Sequence, residues 1–119
     1  MAQKKSDDLP VIKKAYDLAL YLIPLIGRMP RAHKFTLGDR IADHAYELLE
    51  MLTTARYQRN KAQTLVGANL LLERLRLLLR LAKDVKAISV KAYGHSTGIA
   101  DEVGAMLGGW LRSAKGGTR

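Results

Sequence analysis

Leu70-Leu71-Leu72-Glu73-Arg74-Leu75-Arg76-Leu77-Leu78-Leu79-Arg80-Leu81-Ala82-Lys83-Asp84 is the stretch on which the fold turns. It belongs to a helix expected from about Ala62 to Asp84, and its leucines are too many for one side of it. Leu65, Ala68, Leu72, Leu75, Leu79 and Ala82 recur every third or fourth residue and make one stripe. Leu70, Leu71, Leu77, Leu78 and Leu81 widen that stripe beyond the arc a single core contact covers. A helix apolar on more than one side is buried on more than one side. In a chain of 119 residues the second side has to meet another subunit or another protein. Leu70, Leu77 and Leu81 are therefore expected at an oligomer interface, although spacing alone leaves open which leucines face the core and which a neighbour.

Working outward, three more helices flank this one. Asp7 and Asp8, before Leu9 and Pro10, suit a helix start. Ile12, Ala15, Tyr16, Ala19, Leu22, Ile23 and Ile26 then carry the first helix to about Arg28, with a kink or tightened turn expected at Pro24. A basic connection, residues 27–35, leads to Thr36, which with Asp39 reads as a capping box. In the second helix Leu37, Ile41, Ala45, Leu48, Leu52 and Ala55 face inward, while Asp39, Asp43, Glu47 and Glu50 form an acidic outer side. A turn is expected at 58–61. After the third helix, residues 85–88 lead to Ser89 as cap of a fourth. There Tyr93, Ala100, Val103, Leu107, Trp110 and Leu111 are the core stripe. Gly94, Gly98, Gly104, Gly108 and Gly109 each weaken that helix by up to about 1 kcal/mol relative to alanine. They either let another backbone approach or, at Gly108 and Gly109, end the helix. Short connections favour antiparallel neighbours. The expectation is one all-α, up-down-up-down four-helix bundle over residues 9–113, between a charged tail (1–8) and a basic flexible tail (114–119).

Composition excludes several kinds of chemistry. The chain has no cysteine, so thiolate metal sites, cysteine nucleophiles and redox pairs are absent, in keeping with a reducing cytosol. No apolar run is long enough to cross a bilayer, and the start is not an apolar leader, so a cytoplasmic protein is expected. His33, His44 and His95 stand apart, with no partner at ligand spacing; His44 reads as a residue at the edge of the core. Phosphate-loop, dinucleotide and serine-elbow motifs are missing. Neither catalysis, nor a metal or cofactor, nor a small-molecule substrate is expected.

The charge is more informative. Lys and Arg total 20 against 11 Asp and Glu, a formal charge of +9, which favours polyanions. From Met51 to Lys83 the single acid is Glu73. Arg76, Arg80 and Lys83 step along one helical face, Lys86 extends the row if the helix persists that far, and Arg56, Arg59 and Lys61 cluster at the preceding turn. Clustered cations displace counterions from phosphates, and arginine's planar fork suits phosphate. No aromatic row or DNA-reading motif accompanies them, so binding through the RNA or DNA backbone with little sequence preference is expected. The competing reading is a surface ion-pair ladder of Glu73, Arg76 and Arg80.

Three segments also carry a family resemblance: Phe35-Thr36-Leu37-Gly38-Asp39-Arg40-Ile41, Leu72 through Asp84, and Gly108-Gly109-Trp110-Leu111. In order and spacing, from about Leu9 to Lys115, the chain resembles the Avd family, the accessory variability determinants of diversity-generating retroelements, in its Bordetella phage form. The resemblance implies a four-helix bundle assembled as a homopentameric barrel. It also implies a reverse transcriptase partner, RNA and DNA binding by a basic surface, and a part in mutagenic retrohoming in a bacterial host. The bundle proteins encoded in ribosomal-RNA intervening sequences share the fold and are the alternative, as scaffolds with incidental basicity.

Overall fold

The structure, a computed structural model, describes residues 8–116. In chain order they form α1 (Asp8–Gly27), α2 (Arg31–Lys34), α3 (Leu37–Tyr57), α4 (Ala62–Asp84) and α5 (Val90–Gly116), with no strand among the described residues. The four long helices are the four expected. α1 and α4 each pack against both α3 and α5, so the four close a ring around one core, with α1 and α4 on a diagonal. Cross-helix contacts fix the directions. Lys14 reaches Glu102 at 3.1 Å and Tyr21 stacks on His95 with ring centroids 4.3 Å apart, so α1 and α5 are antiparallel. Arg76 meets Asp101 at 3.2 Å and Lys83 lies 4.9 Å over the Tyr93 ring, so α4 and α5 are antiparallel too. The result is an up-down-up-down arrangement in a body of 49 × 20 × 18 Å. No helix among the described residues is long and apolar enough to cross a membrane.

The core follows the stripes on three helices, except that Leu37, Tyr93 and Leu111 are only half-buried. Ile41, Ala45, Leu48, Leu52 and Ala55 of α3 are buried, as are Leu65, Ala68, Leu72, Leu75, Leu79 and Ala82 of α4 and Ala100, Val103, Leu107 and Trp110 of α5. α1 is the correction. Ala15, Ala19, Leu22 and Ile26 are buried as expected, but Val11, Leu18 and Leu25 join them, while Tyr16 and Ile23 point outward at 54% and 37% exposed. Apolar residues run almost all round this helix, so their period cannot choose its rotation. The rotation adopted keeps the Tyr16 phenol in water.

The ends hold further corrections. The first connection is not all loop: Pro30 opens the one-turn α2, with the His33 and Lys34 amides donating to its carbonyl at 2.9 and 3.0 Å. That turn takes up the Thr36 hydroxyl, which donates to the His33 carbonyl at 3.4 Å. Thr36 makes no side-chain cap to α3, and the expected capping box is absent. Ser89 does cap α5, its Oγ accepting from the Ala92 amide at 3.0 Å. α5 runs through Gly108 and Gly109 to Gly116, so residues 114–116 are helical, not tail. Leu107 and Trp110 on either side of the glycine pair are buried and hold the helix across it. Asp8 is the first residue of α1; Asp7, the tail before it and residues 117–119 lie outside the described residues.

α4 ends in a Schellman motif: the Ala87 amide donates to the Ala82 carbonyl at 2.8 Å and the Lys86 amide to that of Lys83 at 3.0 Å. The left-handed position that glycine usually fills is held by Lys86, φ 63°. A side chain there is disfavoured by roughly 1–2 kcal/mol, partly offset because glycine also loosens the unfolded chain. Lys86→Gly should therefore stabilise the fold by roughly 0.5–1 kcal/mol, raising Tm by about 2–4 °C in a thermal melt followed by circular dichroism. An unchanged or lower Tm would show that Lys86 carries no strain.

Candidate nucleic-acid interface

The seven cations singled out from the sequence do not form one cluster. Arg56, Arg59 and Lys61 sit where α3 turns into α4, whereas Arg80, Lys83 and Lys86 sit where α4 ends. At 1.5 Å of rise per residue, Lys61 and Arg80 are separated by about 28 Å along the helix. The bundle thus carries positive charge at both ends.

Arg76, between them, is tied into the fold. Its guanidinium donates to Glu73 at 3.0 Å on its own helix, and to Asp101 and the Ala100 carbonyl of α5, both at 3.2 Å. The side chain is 29% exposed, and its Nε is buried without a hydrogen-bond partner. A Cβ at Gly104 would lie 2.8 Å from its Nη2, so this glycine makes room for the guanidinium and not for a backbone. At Gly94 and Gly98 a Cβ would meet nothing within 4 Å. The Glu73–Arg76 half of the ion-pair ladder is therefore real. Its continuation through Arg80 is not: Arg80 turns to Asp84, 3.9 Å away, and is 66% exposed.

The remaining cations differ in freedom. Lys83 is held between Asp84 at 3.1 Å and the Tyr93 ring. Lys61 lies 5.7 Å over the Trp110 ring and Arg56 5.6 Å over that of Tyr57. Arg59 and Lys86 are exposed. Isolated surface pairs such as Arg80–Asp84 are worth about 0–1 kcal/mol, so Arg80 can exchange its partner for a phosphate far more readily than Arg76 can.

Residues the sequence reading did not assign to the site join it through topology. In an up-down bundle the first and third connections lie at the same end. Arg28, Arg31, Lys34 and Arg40 therefore share an end with Arg80, Lys86 and Lys91. Arg40 at the head of α3 and Arg80 near the foot of α4 line one groove, with Arg74, His44, Leu77 and Leu81. The basic composition of residues 27–35 was the available signal; only the direction of each helix says where it lands. Among the described residues no group of His, Asp and Glu is arranged to hold a metal ion.

Against this geometry stands one comparison. A family model described as bAvd-like matches residues 9–114. No curated protein matches the chain.

The contrast between Arg76 and Arg80 is measurable. Arg76→Ala removes a charge-assisted tether between α4 and α5, and should cost about 1–3 kcal/mol. Arg80→Ala should stay within about 0.5 kcal/mol of the parent. Urea unfolding at one ionic strength compares them; equal stabilities would remove the anchoring role from Arg76.

Proposed function

The chain belongs to the bAvd-like family, and on that premise we propose that it is the non-enzymatic accessory protein of a diversity-generating retroelement. It binds the element's reverse transcriptase together with RNA and DNA, and supports mutagenic retrohoming and cDNA synthesis in the cytoplasm of a bacterial host. It docks the polymerase and presents the template; it makes no bond itself. The observation that carries this reading is the family match across almost the whole chain. The uneven charge supports it, because Arg80, Lys83 and Lys86 with the neighbouring first connection offer phosphates one cationic end, and Arg56, Arg59 and Lys61 offer the other. Arg76 is assigned the part of an anchor behind the first set.

The working form is a homo-oligomer, a pentameric barrel by family likeness. Its support in this chain is the second apolar side of α4: Leu70, Leu77 and Leu81 are 52%, 66% and 49% exposed. α1, across the diagonal, has an outward stripe of its own in Tyr16, Leu20 and Ile23. Apolar surface exposed on more than one helix suits contacts between copies, and head-to-tail contacts give a ring where the rotation closes.

A second reading has a specific observation behind it. Arg76 and Lys83, half of the Arg76–Lys86 row, are held by partners within the chain. That favours a scaffold of the ribosomal-RNA intervening-sequence type whose basicity is incidental.

Binding to RNA and duplex DNA across a salt series separates the two. Retroelement function predicts affinity that falls steeply with salt, and joint replacement of Arg80 and Lys86 by Ala should flatten the log–log slope by about 1 per lost phosphate contact with helicity unchanged. Affinity indifferent to salt would favour the scaffold. The polymerase claim is tested by co-purification with the reverse transcriptase. For the assembly, light scattering should give several times 13.2 kDa, and Leu77→Glu should lower that mass.

A further inference from the structure

The groove between the head of α3 and the second half of α4 has a volume of about 470 Å³. Leu77, Leu78 and Leu81 wall it, and Arg40, Arg74 and Arg80 stand around it with one acid, Asp84, at the Arg80 side. Among the described residues the Arg40 and Arg74 guanidinium groups have no partner. His44 also lines the groove and is 8% exposed. Its Nδ1 donates to the Arg40 carbonyl at 2.8 Å. The proton belongs on Nδ1, because a carbonyl can only accept, so Nε2 of the neutral ring is left as an acceptor without a partner. That nitrogen is open to the groove and can accept from a donor placed there. The groove therefore fits an apolar body that carries a hydrogen-bond donor and is flanked by carboxylates.

The same chain presents that combination elsewhere. Tyr46 is 49% exposed, and Asp43, Glu47 and Glu50 around it are exposed on the outer side of α3. Tyr46 lies two residues beyond His44, about 200° round the helix, so it faces away from the groove of its own copy. We infer that the groove of one copy receives Tyr46 and its flanking carboxylates from a second copy. The ring fills the space over Leu77 and Leu81, the phenol O–H donates to His44 Nε2, and the carboxylates meet Arg40, Arg74 and Arg80. This rests on the reading of the chain as a homo-oligomer and deepens it by naming the two sides that meet. Charge supports the same choice of occupant. Two copies each carrying +9 repel at most orientations, and this one sets the acidic side of one copy against the arginines of the next. Like-charge juxtaposition is what such an arrangement avoids.

The experiment uses the full chain and light scattering over a concentration series, with circular dichroism to check helicity. Arg74→Glu blocks the groove. Tyr46→Ala with Glu47→Ala strips the inserting side, and since both residues are exposed, folding should be unaffected even if the groove variant unfolds. Each alone should weaken self-association at least about tenfold. Mixed, the two variants retain one good groove and one good inserting side between them, so they should form a dimer of twice 13.2 kDa and nothing larger. Tyr46→Phe should weaken assembly less than the alanine variant, reading the phenol O–H separately. An assembly that keeps its mass after Tyr46 and Glu47 are stripped, while Leu77→Glu dissociates it, overturns the inference and leaves the oligomer reading standing. A parent chain that is monomeric throughout the series overturns both.

Discussion

Leu72, Leu75 and Leu79 have essentially no exposed surface, whereas Leu77 and Leu81 on the same helix stand half or more in water. Fully burying a leucine contributes about 1.5–3 kcal/mol. The inner row is what α3 and α5 are packed against, and it fixes the rotation of α4 and thereby the ring. The same rotation leaves the outer leucines uncovered, because four helices around one core can shield only one side of each. The apolar outer side of α4 is thus a by-product of the geometry that makes the core, and its position beside Arg40, Arg74 and Arg80 makes it a selective surface rather than a merely greasy one.

Electrostatics divide along the same lines. Cations near the seams between helices are drawn into the fold, as Arg76 is by Glu73, Asp101 and the Ala100 carbonyl. Cations at the two ends have water and few acids for company. The charged groups that bridge helices therefore work as fasteners, and the basic character available to a partner is concentrated where the chain reverses direction. A surface with its charge at both ends, and an acidic stretch along α3 between them, is suited to partners that meet it at defined places.

Much of the fold is legible in the sequence, for reasons that can be named. α3 and α4 have apolar residues at helical spacing against polar ones, so both their bounds and their inward residues follow from periodicity. α1 has apolar residues nearly all round, and period alone cannot tell Val11 from Ile12 or Leu18 from Tyr16 as the buried member. Thr36 looks like a cap because Asp39 follows it, but α2 places the His33 carbonyl within reach of its hydroxyl first. Gly108 and Gly109 look like a stop, yet Leu107 and Trp110 hold the helix through them. The site is legible only in part. Spacing along α4 puts Arg76, Arg80 and Lys83 in one row, but it says nothing of α5, whose Asp101 and Ala100 claim Arg76. Nor can it bring Arg40 beside Arg80, since that depends on which way each helix runs.

Lys86 holds its left-handed backbone where the chain leaves α4, with Ala87 and Ile88 buried directly after it. Its side chain is consequently aimed by the way the helix terminates and not by any neighbour of its own. One residue added to or removed from this connection would move the ammonium group off its bearing and pull the two buried anchors out of place. Changes of length here would be felt by binding and folding at once.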